Sequence, residues 1–208
     1  MTDTVGVVLA GGLARRMGGG DKCLIQLRGK SLLGWIAERV TPQVTRLVIN
    51  ANGDPTRLRD FKLPVVPDSV PGFAGPLAGI LAALDWTRDW MPHVEWVASF
   101  SGDAPFVPAD IVARFHAVRE KERAELVVSS SGGRTNPACG LWKVALAEEL
   151  RHALVVEDMH KIDAWTARYQ LATAEFPTAP VDPFFNINRP EDLAEAEALA
   201  ESHIGIGA

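Results

Sequence analysis

Apolar and polar positions along the chain alternate between two kinds of segment. Residues 5–10, VGVVLA, are an almost unbroken apolar run, the pattern of a strand covered on both faces. Residues 31–40, SLLGWIAERV, place Leu32, Leu33, Ile36 and Val40 at helical spacing, and RLVINAN at 46–52 returns to a buried strand. This is one βαβ unit. The alternation continues with a strand over 63–68, a helix over 76–86, a strand over 95–103, a helix over 108–123 and a strand over 125–130. Beyond Ser131 the order loosens: TNPACGLW (135–142) predicts a strand, VALAEELRHAL (144–154) a helix, YQLATAEF (169–176) a strand, and PEDLAEAEALAE (190–201) a helix with proline in its first turn. The expectation is a three-layer α/β fold: a mostly parallel, Rossmann-like sheet with helices on both faces and a mixed C-terminal edge. With no internal repeat or hydrophilic linker, residues 1–208 are expected to form one domain.

Composition narrows the function. The chain has 208 residues, 47% hydrophobic and 23% charged, as in an ordinary globular protein. Its net charge of -5 argues against nucleic acid or anionic membrane as a partner, since both need a broad basic face. Arg15, Arg16 and Lys22 are therefore a local feature. The two cysteines, Cys23 and Cys139, form no CxxC motif and join no Cys/His cluster, so neither a disulfide framework nor a zinc site is indicated. The N-terminus has no signal-peptide pattern and no apolar run approaches membrane-spanning length, so a cytoplasmic protein is expected.

The stretch VVLAGGLARRMGGGDK (7–22) leaves the first strand and combines five glycines with two arginines and a lysine. In open α/β sheets the loop after the first strand commonly cradles phosphate, because backbone N–H groups converge there. A Walker A match ending at Gly29–Ser31 would need glycine where Leu24 stands, and no start in the loop completes G-x-G-x-x-G. A glycine-rich surface turn is the alternative reading. The three cations favour a polyphosphate instead.

The motif LAGGLARRMGGGDK resembles the signature of nucleotidyltransferases, and in this form it is similar to that of the molybdenum cofactor guanylyltransferases. VINAN, PDSVPGFAGPLAGI, SGDAPFVP, TNPACGLW and FFNINRPEDL follow in the order that family shows, so the resemblance spans nearly the whole chain. One segment departs from it: Ser101 and Gly102 precede Asp103 where many members carry Pro and Cys or other small residues. The resemblance implies transfer of GMP from GTP to the terminal phosphate of molybdopterin or its molybdenum-loaded form, with release of pyrophosphate. It assigns Leu9, Ala10, Gly11, Gly12, Arg15, Arg16, Lys22, Asn50, Asp68 and Asp103 to the GTP site. Lys22, Arg16 and Asp103 would be catalytic, with Asp103 holding Mg²⁺. Arg134, Asn136, Asn186 and Asn188 would meet the pterin, the last two facing one side of a short strand. On this scheme residues 1–105 mainly bind nucleotide and 106–208 mainly bind acceptor. Other cofactor-assembly proteins and apo-molybdoenzymes are possible partners.

The residues by themselves leave other readings open. Asn50 closing a strand suits a turn, Asp68 suits an Asx turn, and Asp103 suits a helix N-cap. The five histidines fall on expected surface or loop positions without ligand spacing. The six tryptophans are expected in the core or at helix contacts, with Trp142 able to border a pterin. A molybdopterin cytidylyltransferase, a sugar-phosphate nucleotidyltransferase and a non-catalytic cofactor carrier are the competing functions. Cytosine-using relatives tend to read LAAG where this chain reads LAGG.

Overall fold

The protein is described here by a computed structural model, which covers residues 2–11, 20–72 and 75–203. Its strands are β1 (Thr4–Leu9), β2 (Gln26–Leu27), β3 (Lys30–Ser31), β4 (Arg46–Asn50), β5 (Val65–Val66), β6 (Trp96–Ser101), β7 (Leu126–Ser131), β8 (Arg134–Lys143) and β9 (Leu171–Phe176). Its helices are α1 (Leu32–Val40), α2 (Pro76–Trp90), α3 (Ile111–Glu122), α4 (Ala147–Val155), α5 (Ile162–Thr166) and α6 (Pro190–His203). Seven strands form one sheet in the order β5-β4-β1-β6-β8-β7-β9, and β2 and β3 form a separate antiparallel ribbon.

The unbroken apolar run of β1 has a direct cause. It pairs in parallel with β4 on one side and β6 on the other, and both of its faces are covered. Val5 and Val7 join a cluster that includes Leu77, Ile80 and Leu84 of α2, Leu150 of α4 and Trp165 of α5. Val8 joins the opposite cluster, with Leu33 and Ile36 of α1 and Phe115 of α3. Alternate residues of one strand thus serve two cores, which no amphipathic pattern would allow. At the other edge, β9 alternates exposed and buried positions: Ala172, Ala174 and Phe176 face inward while the residues between them meet solvent.

The mixed character expected of the C-terminal half resides in β8, which runs antiparallel to both β6 and β7 and lies inside the sheet. A two-residue turn makes this possible: Gly132 (φ 53°) and Gly133 (φ 75°) close the hairpin between Ser131 and Arg134. Two successive positive φ values match the twist of adjoining strands, and glycine adopts them at little cost. The pairing then slips, from Ser129 opposite Asn136 to Val128 opposite Gly140, so residues 137–139 bulge out of the ladder.

Several expectations are corrected. The β2–β3 ribbon, α5 and the 3-10 turn Pro55–Phe61 carry too few periodic positions to read from sequence. His116 is not on the surface. It is 7% exposed, with Nε2 2.8 Å from Thr4 Oγ1. The Thr4 hydroxyl spends its hydrogen on the carbonyl of Thr2 at 3.0 Å, so the imidazole is the donor. Burial, and secondarily Arg119, pulls its pKa down to about 4, so it is neutral. Trp90, expected in a contact, is 74% exposed at the end of α2. Among the described residues, no helix is long and apolar enough to cross a membrane.

Candidate functional site

Register brings three strand ends to one level. Leu9 of β1 stands opposite Asn50 of β4 and opposite Ser101 of β6, so the chain leaves all three strands together. Beyond them opens a cleft of about 450 Å³, bordered by Leu9, Ala10, Gly11, Lys22, Asn50, Asn52, Asp68, Ser101 and Asp103 among others. This is the carboxyl end of the parallel strands, where ligands of open α/β sheets bind.

One end of the cleft is a network of amides around a carboxylate. Asn50 Nδ2 donates to Asp68 Oδ1 at 2.9 Å and to the Val66 carbonyl at 3.1 Å. Asn52 Nδ2 donates to Asp68 Oδ2 at 2.7 Å, while Asn52 Oδ1 accepts the Asp68 backbone N–H at 2.9 Å. Both carboxylate oxygens are therefore oriented by neutral donors, and their remaining lone pairs can only accept. Gly79 on α2 makes room for this: a Cβ there would lie 2.3 Å from Asn50 Oδ1. Asp68 and Asn50 were legible as candidates, whereas Asn52 and Gly79 show their part only in three dimensions.

The other end joins residues remote in sequence. The Lys22 ammonium donates to Asp103 Oδ2, and to Asn188 Oδ1 at 2.5 Å. The side chains of Lys22 and Asp103 are 14% and 19% exposed, so the pair is largely withdrawn from water. Ser101 Oγ donates to Asp103 Oδ1 at 2.6 Å. Asp103 is not a helix cap, because α3 begins only at Ile111, behind Asp110. Lys22 opens a 3-10 turn whose preceding residue, Asp21, accepts from Arg57 Nε at 2.5 Å. Arg57 Nη2 also donates to the Asn52 carbonyl at 2.7 Å, so one guanidinium braces both ends of the cleft. The sequence offers no motif that marks Arg57.

Two thiols lie close by. Cys23 borders the cleft, and burial together with Asp21 pushes its pKa up to about 11. Cys139, wholly buried, is pushed up to about 12 by desolvation and accepts the Ser101 N–H at 3.4 Å. Both are neutral at physiological pH and neither has the activated form of a nucleophile.

The acceptor-side expectations fare unevenly. Residues 186–188 form no strand, so the alternation proposed for Asn186 and Asn188 does not apply. Instead the Ile187 N–H donates to the Asp103 carbonyl at 3.0 Å, and the Asn188 N–H to Asp192 Oδ2 at 2.8 Å at the start of α6. Asn188 thereby reaches Lys22, although both it and Asn186 are exposed and neither lines the cleft. Arg134 is exposed at the β7–β8 turn, and Asn136 Nδ2 donates to its carbonyl at 3.3 Å. Neither borders the cleft, although Ala138 in the bulge does. Trp142 is fully buried, its indole N–H donating to Ser99 Oγ at 2.8 Å, which removes it from any ligand. Gly12, Arg15 and Arg16 lie outside the described residues.

A model of the MobA-like NTP transferase domain matches residues 6–173. A relative from Nitrobacter hamburgensis, named molybdenum cofactor guanylyltransferase, is 56% identical over 197 residues, covering 95% of this chain and 94% of its own. Among solved structures, molybdopterin-guanine dinucleotide biosynthesis protein A from Archaeoglobus fulgidus superposes with a TM-score of 0.74 at 24% identity, over 95% of this chain and 98% of that one. A Mycobacterium tuberculosis protein solved in complex with manganese superposes with a TM-score of 0.67 at 17% identity, over 95% and 99% of the two chains. These structural likenesses speak for the fold.

Proposed function

From the premise that this chain belongs to the MobA-like NTP transferase family, we propose that it transfers GMP from GTP to the terminal phosphate of molybdopterin, or of its molybdenum-loaded form. The observation that carries this reading is the cleft at the strand ends. It presents an acceptor-only carboxylate, Asp68, at one end and a lysine–carboxylate pair, Lys22 and Asp103, at the other.

Guanine offers two adjacent N–H donors along one edge, and Asp68, oriented by Asn50 and Asn52, offers matching acceptors. Cytosine has a single exocyclic amine beside a ring acceptor and suits such a carboxylate less well. Ala10 and Gly11 keep side chains away from the nucleotide where it crosses the strand ends. Lys22 then stands where charge on the α- and β-phosphates needs compensation, and Arg15 and Arg16 are proposed to reach the outer phosphates.

The reaction asks for alignment above all. An oxygen of the acceptor phosphate attacks the α-phosphorus in line, its O–P bond forming as the bridge between α- and β-phosphates breaks, and the electron pair leaves with pyrophosphate. A phosphate monoester needs no general base to do this. Asn188, bonded to Lys22, is proposed to orient the incoming phosphate.

Asp103 suits a divalent cation of the Mg²⁺ type. No group of three or more His, Cys, Asp or Glu side chains among the described residues could cage a metal, and Mg²⁺ typically takes one or two carboxylates, with phosphate oxygens and water completing its shell. The Lys22 ammonium against Oδ2 supports this reading, since that oxygen already accepts a positively charged donor. Held by Asp103, such an ion would supply positive charge that offsets the negative charge developing on the phosphates.

The test is pyrophosphate release from the purified protein mixed with Mg²⁺, molybdopterin and either GTP or CTP. Release with GTP that depends on molybdopterin supports the proposal. Equal or greater release with CTP would assign the chain to cytidylyl transfer, and no release with either would leave a carrier.

A further inference from the structure

The segment 101–103 is pinned from three directions. The Ser101 N–H donates to Cys139 Sγ on β8 at 3.4 Å, the Gly102 N–H to the Leu9 carbonyl on β1 at 3.1 Å, and the Asp103 carbonyl accepts from Ile187 at 3.0 Å. Gly102 permits the second contact, because a Cβ there would lie 2.6 Å from the Leu9 oxygen. These bonds fix the backbone. They do not stop the Asp103 carboxylate from turning about its own side-chain bonds.

Ser101 supplies that restraint. Its hydroxyl donates to Asp103 Oδ1 at 2.6 Å, and the ion pair with Lys22 falls on the other oxygen, Oδ2. The two carboxylate oxygens are therefore unlike: Oδ1 accepts from the Ser101 hydroxyl, Oδ2 from the Lys22 ammonium.

We propose, resting on the reading of Asp103 as the ligand of a divalent cation, that Ser101 is a positioning residue that holds Asp103 as a one-oxygen ligand and so selects Mg²⁺ and Mn²⁺ over Ca²⁺. Small octahedral cations accept a single carboxylate oxygen at about 2.0–2.1 Å, whereas Ca²⁺ binds at about 2.3–2.6 Å with six to eight oxygens and often takes both oxygens of one carboxylate. Turning Oδ1 toward a larger cation would cost the Ser101 bond and leave its hydroxyl without that acceptor. Ser101 thus adds a donor behind the proposed metal ligand.

The experiment measures GTP affinity by calorimetry for wild type, Ser101→Ala, Ser101→Thr and Asp103→Ala, each with Mn²⁺, Ca²⁺ or EDTA, and records the melting temperature of each. In wild type, Mn²⁺ should tighten GTP binding more than Ca²⁺ does. Ser101→Ala should lose about tenfold of the Mn²⁺-dependent gain, at the lower end of the roughly 10–100-fold typical when a group behind a metal ligand is removed. Its Ca²⁺-dependent gain should hold or rise, and its affinity in EDTA should not change. Ser101→Thr, which keeps the hydroxyl, should restore the Mn²⁺ gain. An equal loss in EDTA would show a merely structural role, and an unchanged Mn²⁺ gain or failure of threonine to rescue would equally overturn the proposal. If Asp103→Ala keeps the full Mn²⁺ gain, the metal reading itself fails, and this outcome is separate from the others.

Discussion

The two ends of the cleft are built on opposite principles. Around Asp68, the groups come from neighbouring strand ends, and the carboxylate is held by neutral amides from Asn50 and Asn52. Around Asp103, three positions far apart in sequence, 22, 103 and 188, converge, and the central contact is between full charges. The first end is complete as it stands: its donors already point at the carboxylate and leave acceptors for a ligand. The second is closed upon itself, because Lys22 must exchange carboxylate and amide for phosphate when a nucleotide arrives. A neutral preformed network suits recognition of a base, which changes little in the reaction. A charged cluster that can exchange partners suits phosphates, whose charge is redistributed as the bond breaks.

The division can be broken at either end, beginning with the largest effect. Asp103→Ala should leave the fold intact and cost about 3–4 kcal/mol of transition-state stabilisation, roughly a hundred- to a thousandfold in turnover. Turnover near that of wild type at saturating Mg²⁺ would remove Asp103 from the chemistry. Lys22→Ala should lower the single-turnover rate by more than it lowers GTP affinity, since its charge matters most as pyrophosphate departs. A loss confined to GTP affinity would make Lys22 a ground-state contact.

At the recognition end, Asn52→Ala removes a donor to a charged acceptor, an interaction worth about 1.5–3 kcal/mol, and GTP affinity should fall at least tenfold with little change in single-turnover rate once the site is saturated. Gly79→Ala should act on the same network indirectly. The new methyl would lie 2.3 Å from Asn50 Oδ1 and 2.9 Å from Leu9 Cδ2, so Asn50 must move and GTP binding should weaken by more than any fall in melting temperature accounts for. Normal GTP binding in Gly79→Ala would mean that the position of Asn50 is immaterial. The smallest change in GTP affinity is expected for Asn188→Ala, which should raise the KM for molybdopterin and leave the GTP dissociation constant nearly constant. The reverse result would move Asn188 to the nucleotide side.

Much of this molecule is decided by local pattern. The two-faced burial of β1 demands an unbroken apolar run, the single-faced edge of β9 demands alternation, and both are written in VGVVLA and LATAEF. Asn50, Asp68 and Asp103 are singled out by the family resemblance; by themselves they suit a turn, an Asx turn and a helix cap. Tertiary structure alone decided the rest. Asn52, Gly79 and Arg57 gain their roles from contacts between elements, through a hydrogen bond, a missing Cβ and a brace across the cleft. His116 and Trp90 departed from expectation because tertiary packing decides exposure: His116, in the middle of α3, meets Thr4 of β1, whereas Trp90 ends α2 and is left exposed. Periodicity also could not foresee that β8 would run antiparallel inside the sheet, or that Asn188 would reach Lys22 while Asn186 would not. Strand order and side-chain meetings across 166 positions are set by long-range packing, and the spacing of residues along the chain carries no record of it.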